Sequence, residues 1–269
     1  MPAASMGRGI GDDPRQHLLR VQRILERRVM PSLLLDGSAL VPPGSPHTTL
    51  SGQADALMAM ALQGREEEAR DELRQLFDGG LAPGDMELGL LAPAAEKLGV
   101  LWENDSLSFV DVTIATGTLQ RLMHFVSVDL AGAPLLGAKA RAILVFPEPG
   151  AEHIFGAGMA ANFFRRAGWQ VHYVPDSDIQ KLRRIVETND IDVLGLSLGR
   201  EEAMPAAARL VGDLRARSRN RKVLAIGGGA ALMRAPLMID GTPLDAAVTA
   251  VARAPGLIGR MVAQRGRES

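Results

Sequence analysis

Arg141-Ala142-Ile143-Leu144-Val145-Phe146-Pro147-Glu148-Pro149-Gly150-Ala151-Glu152-His153-Ile154-Phe155-Gly156 is the stretch on which the reading of this chain turns. Ala142 to Phe146 is an unbroken apolar run, the pattern of a strand buried on both faces of a parallel sheet. Pro147, Pro149 and Gly150 break it, and a histidine follows in the loop. Apolar residues then return at helical spacing over 154–167. A strand, a loop holding a lone histidine and a helix make the first βα unit of an α/β domain.

The alternation continues downstream. Strands are expected over 170–174, 193–197, 223–226 and near 246–249, with helices over 178–188, 202–218 and 255–264. Strands alternating with helices predict a doubly wound parallel sheet, Rossmann-like or flavodoxin-like. Ligands of such sheets bind at the carboxyl ends of the strands. His153 falls on the first such loop, Ser197 ends the third strand, and Gly227-Gly228 ends the fourth. Gly156 would let a bulky group approach the start of the helix. A lone histidine near a helix start is more often a surface residue; these small neighbours single it out. Together they describe a channel along the sheet.

Upstream, 51–135 reads as a helical bundle cap. Helices are expected from Ser51, over 65–77 (stopped by Gly79-Gly80), from about Asp85 past Leu98, and over 106–130. Residues 1–50 read as an extension. It holds a helix over 14–30, with Leu18, Val21, Leu25 and Val29 on one stripe, and a linker at Val41-Pro42-Pro43-Gly44-Ser45-Pro46. The domain reading is therefore 1–50, 51–135 and 139–269.

Composition narrows the chemistry. The 269 residues are 46% hydrophobic but only 4% aromatic, which favours helices and tight packing over a β-sandwich. The net charge of −1, with no basic stretch interleaved with aromatics, argues against direct nucleic-acid binding. There is no cysteine, so a metal must be held by His, Asp or Glu. No secretory leader and no membrane-spanning run are seen, and the expected location is the cytoplasm. No nucleophile–base pair or carboxylate dyad stands out, so an enzyme is not expected. Gly227-Gly228-Gly229 lacks the position and spacing of a dinucleotide fingerprint. His124 and His172 read as ordinary helix and strand residues.

The histidine loop, the serine and the glycine pair resemble the cobalamin-binding domain, whose pattern is Asp-x-His-x-x-Gly, then Ser-x-Leu, then Gly-Gly. The resemblance implies that His153 replaces the cofactor's own benzimidazole as lower ligand of cobalt. Ser197, Gly227 and Gly228 would line the channel for the displaced nucleotide tail. Two positions depart: the family's Asp is Ala151, and the Leu of Ser-x-Leu is Gly199. Glu148 or Glu152 is a candidate replacement for the Asp. Other readings are another tetrapyrrole such as haem, or a ligand-free interaction module.

The stretch from Leu98 through Trp102 to Thr113 resembles the bundle that caps the upper corrin face. Trp102 would lie over the cofactor; otherwise it is a core tryptophan. Light-dependent repressors that bind adenosylcobalamin carry Glu-His ten and eleven residues after this Trp. Here Val112 and Thr113 stand in those places. The resemblance therefore implies hydroxo- or aquocobalamin rather than adenosylcobalamin. As a whole, the chain resembles the PpaA/AerR family of photosynthesis gene regulators in purple bacteria. That likeness implies a light-responsive antirepressor acting through a partner repressor protein. The runner-up is a corrinoid carrier protein of a methyltransferase system. In the extension, His17 and His47 are candidates for an upper cobalt ligand, or simply solvated side chains.

Overall fold

The computed structural model describes residues 50–132, 137, 140–151 and 154–267. The expectations for the extension, with His17 and His47, lie outside the described residues, and so does His153.

The cap is helical. Helix α1 (Ser51–Leu62) is followed by α2 (Glu66–Asp78) and the short α3 (Pro83–Met86). A π-helical turn, Glu87–Leu91, leads straight into α4 (Ala92–Glu103). Helix α5 (Phe109–Phe125) starts at a capping box. There the Asp111 N–H donates to Ser108 Oγ (3.2 Å), and the Ser108 N–H donates to Asp111 Oδ2 (3.0 Å). The Ser108 hydroxyl, which also donates to Asp111 Oδ2 (2.6 Å), and then the Ser108 N–H hold the Asp111 carboxyl below the usual carboxylate range. A second π-turn, Val126–Leu130, ends α5. Leu57, Leu73, Leu90, Leu91, Leu119 and Leu122 form the centre of the cap core.

The α/β domain has strands β1 (Ala142–Pro147), β2 (Gln170–Tyr173), β3 (Val193–Ser197), β4 (Leu224–Gly228) and β5 (Ala246–Ala247). All pair in parallel, in the order β2-β1-β3-β4-β5. This is the flavodoxin-like order. Helices α6 (Phe155–Arg166), α7 (Ile179–Thr188) and α8 (Met204–Arg217) follow the first three strands. The short α9 (Ala230–Arg234) follows β4, and α10 (Ala254–Arg267) closes the domain. Asp178 caps α7 by accepting from the N–H groups of Gln180 and Lys181.

Alternation along the strands separates two cores. Leu144, Phe146, Leu194, Leu196 and Ala225 face α7 and α8. Ile143, Val145, Val193, Leu224 and Ile226 face α6 and α10. The register sets Pro147 beside Ser197 and Ser197 beside Gly228. The carboxyl ends of the three central strands are thus level, and their loops share one edge.

The sequence reading ended β4 at Ile226, but the strand runs on through Gly227 and Gly228. Ladder hydrogen bonds require only the backbone, which glycine also carries. Gly229 then turns the chain, at φ +98°. A Cβ there would lie 2.5 Å from the Leu198 carbonyl oxygen. Gly229→Ala should therefore cost on the order of 3 kcal/mol. A urea titration should show a lower midpoint with an unchanged slope.

Candidate functional site

At that edge lies a cavity of about 470 Å³, within the range of small-molecule sites. Its floor is one face of the sheet. Ile143 and Val145 of β1, Gly195 and Ser197 of β3, and Ile226 and Gly228 of β4 contribute alternate residues to it. Helix α6 forms the opposite wall with Gly156, Met159, Ala160 and Phe164. Ala254 and Ile258 of α10 contribute to another wall. The cap joins in through Leu88 and Ala92. The lining is overwhelmingly apolar, with the Ser197 hydroxyl among its few polar groups.

Four of the residues singled out in the sequence meet here: Gly156, Ser197, Gly227 and Gly228. Gly156 faces Ser197, and a Cβ on it would stand 3.8 Å from Ser197 Oγ. Gly227 and Gly228 have different surroundings. A Cβ on Gly227 would meet Leu232 at 2.5 Å and Leu244 at 3.0 Å, in the core on the other side of the sheet. Gly228 shares the parity of Ser197 and Ile226 and opens on the cavity side. Trp102 is not among the cavity-lining residues. It sits near the end of α4, 40% exposed, with an edge-on contact to Phe109, itself 73% exposed.

The loop that carries His153 is anchored on both sides of that residue. Before it, the Glu148 N–H donates to the Ser197 carbonyl (2.9 Å). The buried Glu148 carboxylate accepts from the Gly199 N–H (2.8 Å) and lies 3.5 Å from Arg200 Nε. Arg200 also donates to the Gly150 carbonyl (3.2 Å). Ser177 Oγ donates to the Pro147 carbonyl (2.6 Å). After His153, the Tyr173 hydroxyl donates to the Ile154 carbonyl (3.2 Å). Burial pushes the Tyr173 phenol up to about 12, so it remains a protonated donor across the physiological range. Glu148, a candidate to orient the histidine, thus has its carboxylate engaged with Gly199 and Arg200.

Sequence reasoning missed Gly195, the π-turn residues and α10 as contributors. Gly195 did leave a signal: a glycine inside an otherwise apolar strand often marks a close approach. Leu88, Ala92 and Ile258 left none, because they read as ordinary core positions.

Residues 53–126 match the family model described as the B12 binding domain. A relative from Rhodobacter capsulatus is 29% identical over 151 residues, spanning 56% of this chain and 79% of its own. It is described as an uncharacterized 20.5 kDa protein in the bchF-crtJ intergenic region.

Over 53–126 the chain is similar to a B12 binding domain, and it resembles the PpaA/AerR family.

Among solved structures, the Methanosarcina barkeri monomethylamine corrinoid protein shares the fold of this chain. Their TM-score is 0.63 at 14% identity, over 77% of this chain and 96% of that one. The match to residues 53–126 falls wholly on the cap, whose Leu88 and Ala92 close part of the cavity.

Filling the cavity tests its role. Ala160→Phe places a ring in an apolar space and should leave the thermal midpoint within a few degrees of the parent. Corrinoid binding, followed by its visible spectrum, should fall at least about tenfold, because the ring fills the cavity proposed to take the ligand.

Proposed function

We propose that the protein is a cobalamin-binding, light-responsive transcriptional regulator of the antirepressor type. It acts through a partner repressor protein in the cytoplasm, without binding DNA itself, and is not an enzyme. The observation that carries this reading is the apolar channel at the carboxyl edge of the sheet. Gly156 and Ser197 face each other in its lining, beside the loop bearing His153, and the cap that helps close it matches a B12 binding domain.

Cobalamin, when bound, would supply a cobalt with exchangeable ligands and a chromophore for visible light. The residues present fit such a group. A neutral His153 imidazole is a suitable lower ligand for cobalt. The channel between the sheet, α6 and α10 would take the nucleotide tail, with Ser197 offering it a hydroxyl and Gly228 leaving it room. Gly227 would contribute backbone only. Trp102 would lie toward the upper face, where His17 or His47 would supply a protein ligand. Hydroxo- or aquocobalamin is favoured because Val112 and Thr113 stand where the adenosylcobalamin-binding repressors carry Glu and His.

The Ala151 methyl group cannot orient an imidazole, the Glu148 carboxylate is engaged elsewhere, and Glu152 lies outside the described residues. Loss of such a partner typically weakens a ligand by roughly 10–100-fold. An easily exchanged lower bond suits a switch that must change ligands better than it suits a methyl carrier. The alternative, a corrinoid carrier of a methyltransferase system, is supported by the fold shared with the Methanosarcina barkeri protein.

The visible spectrum of purified protein mixed with hydroxocobalamin, before and after illumination, is the test. A bound, coloured protein is expected, and His153→Ala should lose or shift its spectrum. His17→Ala or His47→Ala should alter the illuminated spectrum alone. A colourless protein with no calorimetric binding would sink the reading. Cofactor-dependent capture of a repressor supports the regulator, whereas methyl transfer to the bound cobalt supports the carrier.

A further inference from the structure

A buried ion pair joins the cap to the α/β domain beside the cavity. Glu87, the first residue of the π-turn, is fully buried (0% exposed). Its Oε1 accepts from Asn162 Nδ2 (2.9 Å) and Arg166 Nη1 (3.0 Å), and its Oε2 accepts from Arg166 Nη2 (2.7 Å). Asn162 is itself buried, and its Oδ1 accepts from Arg165 Nη1 (2.9 Å). The Arg166 guanidinium stacks 4.4 Å from the centre of the Phe163 ring, and Phe163 packs on Gly84 at the start of α3. The acid comes from the cap, and its partners all come from the last turns of α6.

A buried ion pair is a poor source of stability, because desolvation offsets most of the attraction. An apolar pair of similar volume would hold the two parts together as well. The best-attested use of such a pair is to fix one register among several. The remaining contacts here need that help. The cap core runs onto Met159, Phe155 and Phe163 of α6 through apolar surface, which is non-directional. The bidentate fork at Glu87 accepts one angle and one offset.

The consequence for the cavity lies one residue away. Leu88 follows Glu87 in the same π-turn and lines the cavity, as does Ala92. Helix α6, which carries Arg166 at its end, carries Gly156 at its start, just after the histidine loop. The position of Glu87 on α6 therefore sets where the cap closes over the cavity. We infer that Glu87, with Arg166 and Asn162, is a positioning device that fixes the register of the cap over the cofactor cavity. The link to the cofactor rests on the function proposed above.

The chain has no cysteine, so a spin-label pair can be placed cleanly. Cysteines at the exposed positions Glu67 and Lys181 would carry labels on the cap and on the α/β domain. Electron–electron distance measurements on the cofactor-free protein should give a narrow distribution. The double variant Glu87→Leu/Arg166→Met keeps the volume and removes the pair; only the Asn162 amide loses an acceptor, so it should melt within a few degrees of the parent. Its distance distribution should broaden or shift, and Glu87→Gln should give an intermediate result. Release of bound hydroxocobalamin, followed by its spectrum, should be at least about tenfold faster in the double variant.

A distribution as narrow as the parent's, at the same distance, would overturn the proposal. So would an unchanged release rate despite a broadened distribution. If the parent binds no hydroxocobalamin, the proposed function fails, and the distance distribution decides the register by itself.

Discussion

A parallel sheet must be covered on both faces, and in this protein the two faces are covered unequally. On one side, Leu144, Phe146, Leu194, Leu196 and Ala225 meet α7 and α8 in a closed core. On the other, Gly195, Ser197 and Gly228 replace large side chains toward the carboxyl end, and α6 and α10 stand over a cavity. The same alternation that buries the sheet produces the site, since six floor residues share one parity. The pairing of Pro147 with Ser197, and of Ser197 with Gly228, then brings the histidine loop, the serine and the glycines to one level.

Around this opening the structure spends polar groups on loop geometry. Glu148, Arg200, Ser177 and Tyr173 fix the loop on either side of His153 through backbone atoms. Side chains bonded to carbonyl and amide groups hold the path of the loop's described residues. Glu87 plays the corresponding part for the cap. A carboxylate buried at the junction constrains the cap more tightly than the apolar surface beside it.

Much of the site was legible in the sequence. Ser197 follows a strand of Val and Leu, and Gly227-Gly228 follows another, so both fell at strand ends once the βα alternation was recognised. The different orientations of the two glycines were not legible. They depend on β4 continuing through them, and a ladder of backbone hydrogen bonds leaves no mark on side-chain pattern. The π-turn was equally hidden. It widens one helical turn without breaking the apolar periodicity, so 87–91 read as ordinary helix. Nothing in the sequence marks Glu87, because its partners lie 75 and 79 residues further along the chain.

The sequence by itself determined the order of elements, the cap followed by a parallel α/β domain, and the strand ends at which Ser197 and the glycine pair fall. Those features follow from local periodicity and from strand ends, which each segment carries within itself. Tertiary structure alone decided which residues enclose the cavity, which glycine opens on it, and that Glu87 meets Arg166. Those features depend on the phase of helices and strands packed against distant neighbours, and no segment encodes that phase alone.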